Sequence, residues 1–366
     1  MNLALVLLGL AIGSGAQAPE PAYPSTGRLQ QLQAVRSTTA VKGDADDCAI
    51  WVHPSDPGRS LIIGTDKAKG QGIHVWDLQG EQLQFLRVER PNNIDVRQGV
   101  RLGNERLDIA VATIRGERGL RVYRIDRDRA EGPLTDITVQ SGIPTPELED
   151  PYGVCLYVRH SDGALFAFAS TAAGDRGRLH QYRLEADTAG RIRGRHVRAL
   201  GEGAIRDQVE GLVADDALGL VYVGDEKHAV FEFAANPDAK KDAPLSTFAQ
   251  DDGITGDREG LGLYKCKSGL TYILLSSQGN RALKVYRRDD VSKSAARWTL
   301  VVTYETPEAR QTDGLDVTSS PLGPDFPTGL LVKHHAPGKR FALYAWPPEP
   351  RIGCVDPVGG WPDYER

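Results

Sequence analysis

From about residue 44 to residue 346, short apolar stretches alternate with polar turn residues. One kind of stretch alternates and closes on an aromatic: Ile73-His-Val-Trp76, Leu120-Arg-Val-Tyr123, Leu179-His-Gln-Tyr182, Ala229-Val-Phe-Glu-Phe233, Leu283-Lys-Val-Tyr286 and Phe341-Ala-Leu-Tyr344. Period two marks a strand with one buried face. A second kind comes earlier in each repeat, is more uniformly apolar and ends on a polar residue, as in Ser60–Lys67, Leu107–Arg115, Leu220–Glu226 and Thr271–Gln278. Before these lies a third kind, opening directly after a polar residue: Asp47-Cys-Ala-Ile, Asn93-Ile-Asp-Val, Tyr152-Gly-Val-Cys, Glu210-Gly-Leu-Val, Glu259-Gly-Leu-Gly and Asp313-Gly-Leu-Asp. These openings recur at intervals of 46 to 59 residues. Strands and turns repeating at that period predict an all-β fold, a six-bladed β-propeller with four-stranded antiparallel blades. The outer strand of each blade is the least marked, and no helical pattern exceeds a turn or two.

In a propeller the first strand of each blade lines the axis, so one blade position repeated six times forms a ring at one mouth. That ring is expected to hold Asp47, Asn93, Tyr152, Glu210, Glu259 and Asp313. The second strand returns to the same mouth, which adds Lys67, Arg115, Glu226 and Gln278. Carboxylates facing one another repel unless a cation sits between them. An all-oxygen cluster suits Ca²⁺, while Lys and Arg beside it suit phosphate oxygens. A metal next to anion-gripping cations is the layout of a metal-assisted phosphoester hydrolase. Taken singly, an acidic residue before Gly is an ordinary turn former; the convergence of several carries the argument.

Bulk properties narrow the choice. The formal net charge of −5 argues against nucleic acid as a partner. One Met, 40 Gly and 22 Pro fit a turn-rich strand protein. Residues 1–18 read as a secretory signal, an apolar run followed by small residues, although no Lys or Arg precedes it. The run is too short for a stable membrane span, so a secreted or periplasmic monomer is expected. Residues 19–43 read as an N-terminal linker or first edge strand, 44–348 as the propeller and 349–366 as a tail. Of the four cysteines, Cys155 lies in an apolar strand as a buried thiol, and a staple from Cys48 to Cys354 would join first and last blades. Nothing resembles a zinc spacing. Asp215-Asp216 reads as a hairpin cap, His334-His335 as an exposed loop pair, and Trp51 and Trp76 as inter-blade core.

The same residues carry a resemblance. Asp44-Ala-Asp-Asp-Cys-Ala-Ile-Trp51, Asn92-Asn-Ile-Asp-Val-Arg97, Gln208-Val-Glu-Gly-Leu-Val-Ala-Asp-Asp216, Asp257-Arg-Glu-Gly-Leu261, Ser276-Ser-Gln-Gly-Asn280 and Thr312-Asp-Gly-Leu-Asp-Val317 occur in order at blade spacing. In these motifs the chain resembles the β-propeller phytases, alkaline Ca²⁺-dependent enzymes that hydrolyse inositol hexakisphosphate. The resemblance implies that Lys67, Arg115 and Tyr152 bind substrate phosphate. It implies Ca²⁺ positions at Glu210, Glu226, Asp257, Glu259, Gln278 and Asp313, with Glu210, Glu259 and Asp257 at the chemistry, and a structural Ca²⁺ site at Asp47 with Asp46. Two places depart from the family. Its third-blade Lys-Glu pair is Asp175-Arg176 here, and the sixth blade has Pro307-Glu-Ala-Arg-Gln-Thr312 and Lys333-His-His-Ala336 in place of acidic motifs. The expected function is therefore an exported Ca²⁺-dependent phosphomonoesterase acting on phytate or a related phosphorylated ligand. A non-catalytic ligand- or partner-binding propeller derived from that fold is the alternative. A Ca²⁺-dependent lactonase is a third reading, with no use for Lys67 and Arg115.

Overall fold

The structure is a computed structural model that describes residues 30–266, 269–289, 296–307 and 311–347. The signal segment, Glu308 and Cys354 lie outside the described residues. Six antiparallel sheets form a six-bladed β-propeller. The inner strands are Ala45–Trp51, Pro91–Leu102, Pro151–Val158, Val209–Asp215, Arg258–Lys265 and Leu315–Thr318. Each packs against the inner strands of both neighbouring blades, the last against the first, which closes the ring. The alternating segments that end in aromatics are the third strands, for example Gly72–Trp76 and Ala282–Asp289. Among the described residues the helical segments are single 3-10 turns such as Pro57–Arg59.

Closure uses the N-terminal segment. The sixth blade draws three strands from the C-terminal end, and its outer strand is Arg36–Ser37, paired antiparallel with Ala342 and Leu343. Gln30–Gln31 adds a short parallel strand to the edge of blade five. Hydrogen bonds thus tie the two ends of the described chain together.

The apolar faces of adjacent blades meet in separate cores. Trp51 packs between blades one and two, and Trp76 between blades six and one, with its ring 5.7 Å from that of Phe341. Cys48 and Cys155 are free buried thiols, so Cys48 forms no staple.

Lys333 is an exception to apolar burial. It is 0 % exposed in the second strand of blade six, and its Nζ donates to Thr306 Oγ1 at 3.0 Å. Among the described residues no carboxylate pairs with it, and burial pushes its pKa down to about 7. The unfolded chain holds this proton up to about pH 10.4. Between about pH 7 and that value, unfolding takes up a proton, so stability rises with pH across the window. Below it the buried ammonium is a constant cost. Lys333→Met is expected to raise the unfolding midpoint at pH 7, with the gain shrinking towards pH 10. Denaturant unfolding of both proteins at several pH values measures this, and a pH-independent difference would contradict it.

Candidate active site

A repeated backbone irregularity builds the mouth. In blade one the pairing runs Ala45 with Asp66 and then Cys48 with Gly64, so Asp46 and Asp47 together face one residue. The same shift occurs at Pro91/Ile94, Pro151/Val154, Val209/Leu212 and Arg258/Leu261. These are β-bulges, which re-aim a side chain at the cost of one ladder position. The first bulge residue is Asp46, Asn92, Tyr152, Glu210 or Glu259, and Asp313 holds the matching position in blade six. The second is Gly in blades three to six. A Cβ at Gly211 would lie 1.9 Å from the carbonyl oxygen of Glu259, and one at Gly153 would lie 2.5 Å from that of Glu210. The acidic-Gly pairs of the sequence therefore mark places where neighbouring inner strands nearly touch, rather than turns.

The bulges of blades one to three are clamped from the second strand. The hydroxyls of Thr65, Thr113 and Ser170 accept from the amides of Asp47, Asn93 and Gly153 at 2.9–3.1 Å. They donate onward to the carbonyls of Asn92, Tyr152 and Val209 in the next blade. His334 fills this role in blade six, its Nδ1 accepting from the Asp313 amide at 3.0 Å. His334 is 1 % exposed in the strand Leu330–His335, so the expected exposed loop pair is corrected there. Strand pairing places the imidazole where other blades carry a hydroxyl.

Lys67 and Glu226 are aimed by the carboxylates that precede them. Asp66 accepts from the amides of Gly43, Asp44 and Ala68. Asp225 accepts from those of Arg206, Asp207, Lys227 and His228. Both side chains are fully buried and pin the loops at the mouth.

The mouth brings most of the expected residues together. Carboxylate oxygens of Glu210, Glu226 and Glu259 lie within 4.8 Å of one another, and all three residues are buried. Glu210 accepts from Tyr152 Oη at 2.6 Å and from Asn92 Nδ2 at 3.0 Å. Gln278 Nε2 donates to Glu259 at 2.9 Å and to Asp313 at 3.2 Å. Lys67 Nζ is 2.6 Å from Asp46 and 3.6 Å from Asp313. Arg115 lies 5.7 Å over the Tyr152 ring and is gripped by Asp150, with Nε to Oδ1 at 2.8 Å and a second contact from Nη2 to Oδ2. Asp257 stands at the rim, paired with Lys227.

Asp47 is placed differently. Its carboxylate accepts from the Ile94 amide at 3.0 Å, one residue deeper in the channel, and Asp46 takes the mouth position. Asn93 likewise gives way to Asn92. The bulge accounts for both shifts. Asp95 and Asp316 resemble Asp47, each accepting from an inner-strand amide of the following blade at 2.7 Å. At the opposite end of the channel a cavity of about 720 Å³ contains Arg97, which is held by Asp95 and Asp216. Asp215 caps its hairpin through the Leu218 amide, while Asp216 turns to Arg97. Asp175 and Arg176 face solvent.

The electrostatics are unbalanced towards negative charge. Burial first, then Glu210 and Asp257, pushes Glu226 up to about 8. Burial and Glu210 also raise Glu259. Burial works against the charge on Lys67, but Asp46, Asp313 and Glu210 outweigh it and raise its pKa. Two unit charges about 5 Å apart repel by about 3 kcal/mol at an effective dielectric of about 20. Three such pairs approach the whole stability of a domain, about 5–15 kcal/mol. Glu210, Glu226 and Glu259 cannot all be ionised here without a counter-charge. Asp46 Oδ2, Glu226 Oε1 and Glu259 Oε2 are buried without a hydrogen-bond partner. Their donors are all oxygen, and the 4.8 Å limit matches the width of one Ca²⁺ coordination shell, about twice 2.3–2.6 Å. The residues fit a hard divalent cation.

Fold and mouth together define a six-bladed propeller with a buried carboxylate cluster at one mouth, beside Lys67 and Arg115. The Phytase family model matches residues 3–337, and the chain belongs to that family. A 3-phytase of Bacillus subtilis (strain 168) is 33 % identical over 312 residues, covering 82 % of this chain and 79 % of the relative. The β-propeller domain of Myceliophteria thermophila Cps50 (Swd1) covers 82 % of this chain and 83 % of its own, with TM-score 0.46 and 13 % identity. No helix among the described residues is long and apolar enough to cross a membrane.

Proposed function

We propose that this chain is an exported Ca²⁺-dependent phosphomonoesterase that hydrolyses phytate or a related phosphorylated ligand. The observation that supports this reading most is the convergence of Glu210, Glu226 and Glu259 beside Lys67 and Arg115 at one mouth. Glu210, Glu226, Glu259 and Asp313, with Gln278 and the rim carboxylate Asp257, would hold Ca²⁺. When bound, the ion neutralises the carboxylates and makes a water more acidic. The protein side of the reaction follows from the side chains. Arg115 is oriented by Asp150 and presents its remaining N–H groups to phosphate oxygens. Lys67 exchanges a carboxylate partner for a phosphate oxygen. Tyr152 covers the guanidinium and keeps its proton, because burial and Glu210 raise its pKa. One carboxylate of the pair Glu210 and Glu259 takes a proton of the attacking water. The water oxygen bonds to phosphorus, the ester P–O bond breaks, and the leaving alkoxide takes up the proton that carboxylate had accepted.

The test is phosphate release from phytate by the purified protein, with Ca²⁺ and with chelator. Release that requires Ca²⁺ is expected, and none under either condition would leave the non-catalytic reading. Blade three presents Ala172 at the mouth position and only exposed Asp175 and Arg176 beyond it. A second phosphate gains little there, so KM for phytate is expected above that of the Bacillus 3-phytase assayed in parallel. An equal or lower KM would refute this.

A further inference from the structure

Among the mouth residues, one buried amide connects the two halves of the site. Asn92 is 0 % exposed at the first bulge position of blade two. Its Oδ1 accepts from Arg115 Nη1 at 3.1 Å. Its Nδ2 donates to Glu210 Oε1 at 3.0 Å and to Asn93 Oδ1 at 2.7 Å. A guanidinium can only donate and an ionised carboxylate can only accept, so these neighbours fix which end of the amide faces which. The contacts close into a ring: Arg115 lies over the Tyr152 ring, and the Tyr152 hydroxyl returns to Glu210.

We propose that Asn92 is a positioning residue that ties the phosphate-gripping guanidinium of Arg115 to the carboxylate of Glu210, so that one amide sets the geometry of both halves of the mouth. The catalytic consequence rests on the function proposed above; the link itself does not. The residue type is demanding. Asp at this place keeps an acceptor for Arg115 but turns a carboxylate towards Glu210. Ala removes both contacts. Hydrogen bonds to charged groups contribute about 1.5–3 kcal/mol each, so losing one is worth about tenfold or more in an equilibrium constant.

The link is tested first without substrate, by denaturant unfolding in chelator. Asn92→Asp is expected to be less stable than Asn92→Ala, because its carboxylate faces Glu210. That excess loss should vanish in a Glu210→Gln background, where the glutamine amide can donate to Asp. An excess loss unchanged by Glu210→Gln would overturn the proposal. Should Asn92→Asp alone fail to fold, recovery of folded protein on adding Glu210→Gln supports the link. Failure of that pair, where Asn92→Ala folds, overturns it.

Kinetics on phytate with Ca²⁺ give the second reading. Asn92→Ala should raise KM about tenfold and lower kcat. Asn92→Asp should hold KM near the wild-type value while lowering kcat. A merely structural role would lower kcat alike in both at unchanged KM, and that result would also overturn the proposal. Wild-type protein inactive on phytate would sink the proposed function, while the unfolding experiment would still decide the link.

Discussion

Glu210→Gln is expected to reduce phytate hydrolysis by about a hundredfold or more, the scale on which positioned acid–base groups contribute, while the protein stays folded. The substitution is nearly isosteric. It keeps an oxygen for Asn92 or Tyr152 and removes one charge from a cluster whose oxygens lie within 4.8 Å. Without cation, less repulsion remains, so the variant should unfold at or above the wild-type midpoint in chelator. The informative result is the pairing of the two effects: lower kcat with undiminished metal-free stability. Glu259→Gln should behave similarly, since Glu259 Oε2 is buried without a hydrogen-bond partner and its other oxygen accepts from Gln278. Near-normal kcat in both variants would place the chemistry outside this cluster.

The second large effect concerns the cation itself. Saturating Ca²⁺ is expected to raise the unfolding midpoint and chelator to lower it. A ligand at about a hundred times its Kd contributes about 2.7 kcal/mol. For a propeller of about 300 residues that is roughly a 4 °C shift. The driving force is the mutual repulsion of Glu210, Glu226 and Glu259, which a divalent ion removes. Mg²⁺ should be the weaker stabiliser, because it requires closer octahedral oxygens and gives up its own waters reluctantly. A scanning-calorimetry midpoint unmoved between Ca²⁺ and chelator would remove calcium from the account.

The propeller was legible because strand alternation and the recurring polar openings are local properties of the chain. The residue types of the mouth were legible for the same reason. Glu210, Glu259, Asp313, Tyr152, Lys67, Arg115, Glu226 and Gln278 all sit at the openings and strand ends where the repeat places them. Blades one and two were misjudged by one residue. Without Gly at the second bulge position, nothing in Asp46-Asp47 or Asn92-Asn93 marks which residue faces the mouth. Residues that act on other residues went unassigned or, for His334, were misplaced. Asp150 matters through Arg115, Asp66 and Asp225 through loop amides, and His334 through the amide of Asp313.

By itself, then, the sequence determined the repeat, the strand pattern and the chemical character of each blade's contribution. Tertiary structure decided the rest. It chose Asp46 over Asp47 and Asn92 over Asn93, gave blade six its outer strand from Arg36–Ser37, and turned Lys333-His334 inward. Alternation along a strand is fixed by neighbours in the chain, whose side chains must point to opposite faces. A bulge, a closing strand and a buried imidazole depend on pairing with residues tens to hundreds of positions away, where hydrogen bonding and close packing between blades select the register.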